Sequence, residues 1–428
     1  MPKAKKQSNK SKLLNWLKPG SPRKNILLFM LAFAIVGGGY MAYKSFAASN
    51  PPLVYTQQTI TSESAATNIL RVNVDGSGIA SIQSAVTTFA SGSGTYITDG
   101  KYSPDHNFVA WTGGTDPNTT FTDTVYISDT TGYTSGNSKA GSLKAFSLPV
   151  GEMAATSPTT DPIAWYPDSR QIAVLTQDQA NPANYKLRLL NISTGAFTLI
   201  TTLGAGPTSG ANLNSLAVLG DDKSIAYTDS TGVKVIKAGS TTPVQRKTAT
   251  DCGKIEAQPG TQTGFVYTCA VSNSTSKLFS QSSTGSATTI YSTVNVSGQS
   301  THIIDFAVSP DNTQVAVYTI SSNKGATKCS LYTWGDIQTV SYTGTVFGSI
   351  QTGTRTDATG GCGGKGGPGP VDNLVWSPDG QYMAYLDGIT AQQNSTLYVV
   401  PTSLFASVYA STYTGPTKIA DNVYDISW

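Results

Sequence analysis

The 428-residue chain carries 28 Lys and Arg against 25 Asp and Glu, but its slight positive excess is confined to one end. Lys3, Lys5, Lys6, Lys10, Lys12, Lys18, Arg23, Lys24 and Lys44 have no acid among them; the other 19 basic residues face all 25 acids, leaving the rest at −6 and excluding a broad nucleic-acid-binding surface. Charged residues make up only 12% of the chain while Ser, Thr and Gly abound, which suits an extracytoplasmic β-protein and argues against a cytosolic enzyme.

Residues 1–24 read as a basic cytoplasmic tail. The uncharged run from Ile26 to Tyr43 is about long enough to cross a bilayer core. Residues 25–46 are therefore expected to form a single transmembrane helix, with the N-terminus held inside by its basic flank and the remainder outside the cell membrane. The competing reading is a secretory signal peptide with Ile26–Val36 as its apolar core, cleaved near Ala47 to give a secreted or periplasmic protein. The long basic stretch and the position of Lys44 favour an uncleaved anchor. Residues 47–52 serve as a linker.

From residue 53 onward a short motif recurs. Tyr102-Ser103-Pro104-Asp105, Tyr166-Pro167-Asp168, Val308-Ser309-Pro310-Asp311 and Trp376-Ser377-Pro378-Asp379-Gly380 are its clear copies; Gly220-Asp221-Asp222 and Gln258-Pro259-Gly260 are degenerate ones. Proline presets φ for a tight turn, Asp bonds back to local N–H groups, and Gly accepts a left-handed backbone, so each copy predicts a hairpin tip. A compact apolar run follows each: Phe108–Trp111, Ile172–Leu175, Ile225–Tyr227, Phe265–Tyr267, Val315–Tyr318 and Met383–Tyr385. Apolar residues on both faces suit strands covered on both sides. A third strand comes next, as in Leu187–Leu190 or Leu397–Val400, and then a more polar one such as Val244–Lys247, fit for an outer edge. Repetition at roughly 40–50 residues with four strands per unit predicts propeller blades. The chain ends supply one more unit: Val423–Trp428 matches a first strand with no turn after it, and Leu53–Tyr55 and Ile69–Val74 match a second and a third. The expected fold is all-β, a seven-bladed β-propeller (six-bladed as the alternative) preceded by the transmembrane helix, and closed by residues 422–428 pairing beside 53–57.

The Trp-Ser-Pro-Asp-Gly hairpin followed by its apolar run resembles the propeller repeat of TolB-like proteins, relatives of the WD-type repeat, over residues 53–428. The resemblance implies a β-propeller, usually a binding platform. TolB-like proteins carry an extra N-terminal domain for which this chain has no room between residue 47 and the first strand, so their partners are not carried over.

Cys252, Cys269, Cys329 and Cys362 are the four cysteines. An even number outside the cytoplasm suggests disulfides. Cys252 and Cys269 are nearly equidistant from the Pro259-Gly260 turn and should face each other across that hairpin; Cys329 and Cys362 then pair by default, pinning the glycine-rich stretch Gly360–Pro370. No Cys-x-x-Cys spacing supports zinc. Of the two histidines, His106 occupies a turn and His302 opens a strand, neither in a catalytic pattern. No Gly-x-Ser-x-Gly elbow or α/β segment indicates a prolyl-oligopeptidase-like enzyme, and Gly360–Lys365 lacks the helix that a phosphate loop needs. The repeated aspartates Asp105, Asp168, Asp311 and Asp379 read as turn formers, together with Pro104, Pro167, Pro310, Pro378 and Gly380. The expectation is thus no enzyme, no cofactor and no metal. The chain reads as a membrane-held scaffold binding a protein or envelope polysaccharide, with the long loop near 340–370 as the contact candidate. The alternative is a propeller hydrolase acting on glycans or peptides through carboxylates around the central funnel.

Overall fold

The computed structural model describes residues 50–60, 65–82, 100–113, 123–130, 143–155, 162–182, 184–205, 215–229, 231–249, 252–272, 275–293, 299–323, 332–352, 374–387, 395–405 and 416–428. The tail and apolar segment, Cys329, Cys362 and the Gly360–Pro370 stretch lie outside these. Among the described residues no helix is long and apolar enough to cross a membrane.

Strands follow one another in antiparallel runs. β1 (Leu53–Ile60), β2 (Ala65–Val72) and β3 (Ala80–Ser81) come first, then β4 (Lys101–Tyr102), β5 (Phe108–Gly113), β6 (Thr124–Asp129) and β7 (Leu143–Ser147). β8 (Glu152–Ala154) and β9 (Ile163–Trp165) both pair with β10 (Gln171–Asp178), which leads on to β11 (Asn184–Asn191) and β12 (Phe197–Ala205). β13 (Ser215–Val218), β14 (Ile225–Asp229), β15 (Gly232–Ile236) and β16 (Val244–Thr248) make the next sheet. Two further runs are β17 (Cys252–Ala257), β18 (Gly264–Ser272), β19 (Thr275–Ser282) and β20 (Thr288–Ser292), then β21 (Gln299–Val308), β22 (Gln314–Asn323), β23 (Tyr332–Ser341) and β24 (Val346–Thr352). The last comprises β25 (Leu374–Trp376), β26 (Tyr382–Asp387), β27 (Ser395–Pro401) and β28 (Thr417–Ser427).

β28 belongs to two runs. Its first half pairs with β27, Thr417 opposite Val399; its second half pairs with β1, Ile426 opposite Tyr55 and Ser427 opposite Val54. Asn422, at φ 61, makes the bend between them. The end of the chain therefore covers the backbone edge that β1 would otherwise expose.

Each run packs face to face on the next through its second strand. Ala173 and Leu175 of β10 meet Leu216 and Val218 of β13 and Ile225 and Tyr227 of β14, all buried. Ala226, Val233 and Val235 in turn meet Ile255, Phe265 and Tyr267. The small alanine in the middle of the second strand lets the next sheet come close, while the aromatic beside it fills the opposite face, Ala226 packing toward β17 and β18 and Tyr227 toward β10. Five of these strands continue the pattern by one residue: Tyr55-Thr56, Trp111-Thr112, Tyr227-Thr228, Tyr267-Thr268 and Tyr318-Thr319. Thr56, Thr112 and Thr228 are fully buried, and Thr228 donates its hydroxyl to the Gly253 carbonyl of the following run at 2.5 Å.

Candidate functional site

The repeated turns are built alike. Ser103, Ser309 and Ser377 each donate a hydroxyl to Asp105, Asp311 and Asp379 at 2.6 Å. The same carboxylates accept backbone N–H bonds from Asn107, Thr313 and Gln381, and Asp168 accepts one from Arg170. After each aspartate the backbone turns left-handed, at His106, Ser169, Asn312 and Gly380. Burial pushes Asp105 and Asp311 up, yet the hydrogen bonds from Ser103 and Asn107, and from Ser309 and Thr313, outweigh it and hold both below the ordinary carboxylate range. Local turn hydrogen bonds thus occupy these aspartates at the hairpin tips. His106 packs on Tyr102 with ring centroids 5.4 Å apart, and burial depresses its pKa despite the neighbouring Asp105.

Side-chain hydrogen bonds tie consecutive first strands together, two of them from the tryptophan before a turn. Trp165 donates its indole N–H to the Lys101 carbonyl at 3.0 Å, and Trp376 donates to Ala307 at 2.9 Å. Ile255 N–H reaches Ser215 Oγ, and Tyr102 N–H reaches Ser427 Oγ. First strands of successive runs therefore lie side by side, β4 with β9, β9 with β13, β13 with β17, β17 with β21 and β21 with β25, the arrangement that lines a propeller's axis.

Two of these neighbouring strands carry charge. Lys254 on β17 lies 2.9 Å from Glu256 Oε1 and 3.0 Å from Asp305 Oδ1 on β21. The second Glu256 oxygen accepts the Val308 N–H at 2.9 Å, and Asp305 accepts the Phe306 N–H at 2.6 Å. The ammonium also sits 5.6 Å over the Phe306 ring. Asp305 is 0% exposed at its side chain and Lys254 10%, whereas Glu256 retains 26%. Register irregularities fall on both strands here, between Cys252 and Ile255 and between Ile303 and Asp305. Such bulges re-aim side chains. Cys252 is opposite Cys269 and bonded to it, with Cα atoms 3.9 Å apart, immediately before the β17 bulge.

A second charged group surrounds Glu152 on β8. Arg188 donates to both its oxygens, Lys186 Nζ lies 2.9 Å from Oε1 and 2.5 Å from Asp178, and Thr176 donates at 2.9 Å. Burial raises Glu152, but these donors more than reverse it and bring its pKa down to about 2. With every acceptor taken, this network fastens β8 onto β10 and β11.

The sequence-level candidates and the charged groups are different residues. No group of three His, Cys, Asp or Glu side chains suited to a metal comes together among the described residues. Lys254, Glu256, Asp305 and Glu152 were passed over because none belongs to the repeated turn motif; the i, i+2 spacing of Lys254 and Glu256 in β17, which puts both on one strand face, was the available signal.

No family model matches the chain, and no curated protein does. Solved structures do. A structure of prolyl endopeptidases is 13% identical over 96% of this chain and 56% of that one, with a TM-score of 0.52. TolB from Acinetobacter baumannii is 16% identical over 90% and 85%, at 0.40, and an oligogalacturonate lyase in complex with manganese 11% identical over 84% of each, at 0.47. At such identities the likeness shows the fold, a β-propeller. It also corrects one expectation. Excluding an enzyme for want of a nucleophile motif does not hold, because the prolyl endopeptidase likeness places this chain on a fold that enzymes use.

Proposed function

We propose that the chain is a seven-bladed β-propeller held outside the cell membrane by residues 25–46, and that it hydrolyses an envelope glycan or peptide at its first strands. The observation that carries this reading is the meeting of Lys254, Glu256 and Asp305 from two adjacent first strands, where a propeller gathers its axial funnel. Seven blades are supported by the way Val423–Ser427 supplies a first strand for β1, β2 and β3. Glu256, the least buried of the three, is the base that takes a proton from the attacking water and returns it to the departing oxygen or nitrogen as the scissile bond breaks; Lys254 fixes its carboxylate and lies beside the charge that develops. Asp305 is a positioning residue that holds Lys254.

The full chain in detergent is to be incubated with glycan and peptide panels. Turnover that Glu256→Gln abolishes while substrate binding persists supports the reading. Binding without turnover by the unmodified protein refutes hydrolysis and leaves a scaffold. Retention of the chain in carbonate-washed membranes tests the anchor, and a mature N-terminus at Ala48 overturns it.

A further inference from the structure

The β13–β16 run ends in a strand that places positive charge against its neighbour. The β15–β16 register shifts between Val233 and Lys234, opposite Lys247 and Gln245, which leaves Arg246 as the extra residue of a bulge. Lys247 reaches across to the next run, its ammonium 4.2 Å from the centroid of the Phe279 ring on β19. Lys277 lies two residues before Phe279 and so on the same face of β19. Arg246, Lys247 and Lys277 are all partly exposed. None forms an ion pair among the described residues, and Asp229, which ends β14 beside β15, is engaged by Lys234. The Nε–H of Arg246 is buried and meets no acceptor among the described residues. A buried donor of this kind calls for an acceptor, and a ring face attracts a cation without neutralising it.

We propose that the surface where β16 packs on β19 binds an acidic polysaccharide, its carboxylates seated on Arg246, Lys247 and Lys277. The three cations come from two separate runs of strands, which suits a polymer bearing charge on successive units better than one small anion. Arg246 supplies a planar guanidinium that matches a carboxylate through its terminal nitrogens. The site stands apart from Glu256 and does not depend on hydrolysis: it is a holding surface, whether or not the first strands cleave what is held.

The test is equilibrium binding of sodium polygalacturonate to the full chain in detergent, at low and at physiological salt. R246Q/K247Q/K277Q should weaken binding by about tenfold, and salt should matter less to it than to the unmodified protein. A triple of equal charge change on exposed lysines elsewhere, K144Q/K223Q/K237Q, should bind nearly as the unmodified chain does. K277Q alone, which leaves the Lys247–Phe279 contact in place, should weaken binding by about twofold to threefold and keep the melting temperature. No binding by the unmodified protein, or equal losses in the two triples, overturns the proposal; binding of polyphosphate without polygalacturonate overturns the glycan class.

Discussion

Replacing Ile426 by alanine tests how far the end of the chain holds the fold. Ile426 is 1% exposed and stands opposite Tyr55 in the pairing of β28 with β1. It packs with Leu53, Val72, Leu386 and Val423, which are drawn from both ends of the sequence. Truncating a buried isoleucine loses its transfer energy and leaves a cavity, at a cost of about 2–5 kcal/mol. With a urea m-value of roughly 3 kcal/mol/M, this lowers the unfolding midpoint by about 1 M. The comparison is Ile79→Ala, at a side chain that is 54% exposed, where the change should be near zero. Equilibrium urea unfolding followed by tryptophan fluorescence reads both. Deleting residues 422–428 should exceed the point variant, since it also removes the backbone pairs and the Trp428 indole bond to Pro51. If Ile426→Ala leaves the midpoint within 0.2 M, a figure set by roughly the precision of such extrapolations, the ends do not close a cooperative unit and the reasoning fails.

Four other outcomes follow from particular contacts. Glu152 has its pKa depressed in the folded state, so its contribution is present above the unfolded value near 4.3 and is lost as pH falls toward about 2; Glu152→Gln should flatten acid unfolding over that window and, by stranding Arg188, lower stability at pH 7 by about 3–5 kcal/mol. His106, also depressed, favours the fold while neutral, so stability should decline as pH drops below about 6.5. His106→Gly, at a φ of 57 that glycine adopts freely, should remove that decline in thermal melts. Removing both Cys252 and Cys269, whose separation is 17 residues, should cost about 3 kcal/mol in chemical denaturation, and non-reducing peptide maps should show a second link, Cys329 to Cys362. Trp376→Phe strands the Ala307 carbonyl and should destabilise by about 1–3 kcal/mol, an effect absent if the indole bond is replaced by water.

Local chemistry made much of this fold readable from the residues. Pro-Asp turns fix their own geometry through proline's φ and short side-chain bonds, so Ser377-Pro378-Asp379-Gly380 announces a hairpin without knowledge of its surroundings. The run Val315–Tyr318 is apolar at every position, which only a strand covered on both faces tolerates. The pairing of Cys252 with Cys269 follows from counting residues back and forward from one turn, because antiparallel register is arithmetic once the turn is placed. Contacts between runs have no such arithmetic. Lys254 meets Asp305 across 51 positions of sequence, and Trp376 meets Ala307 across 69; nothing local to either partner names the other. β8 escaped notice because Glu152-Met153-Ala154 is three residues long and is held to β10 by an ion network instead of by an apolar pattern. Which isolated charges share a site is decided by how sheets stack, and stacking depends on the sum of many weak, non-directional contacts that a single strand's sequence does not record.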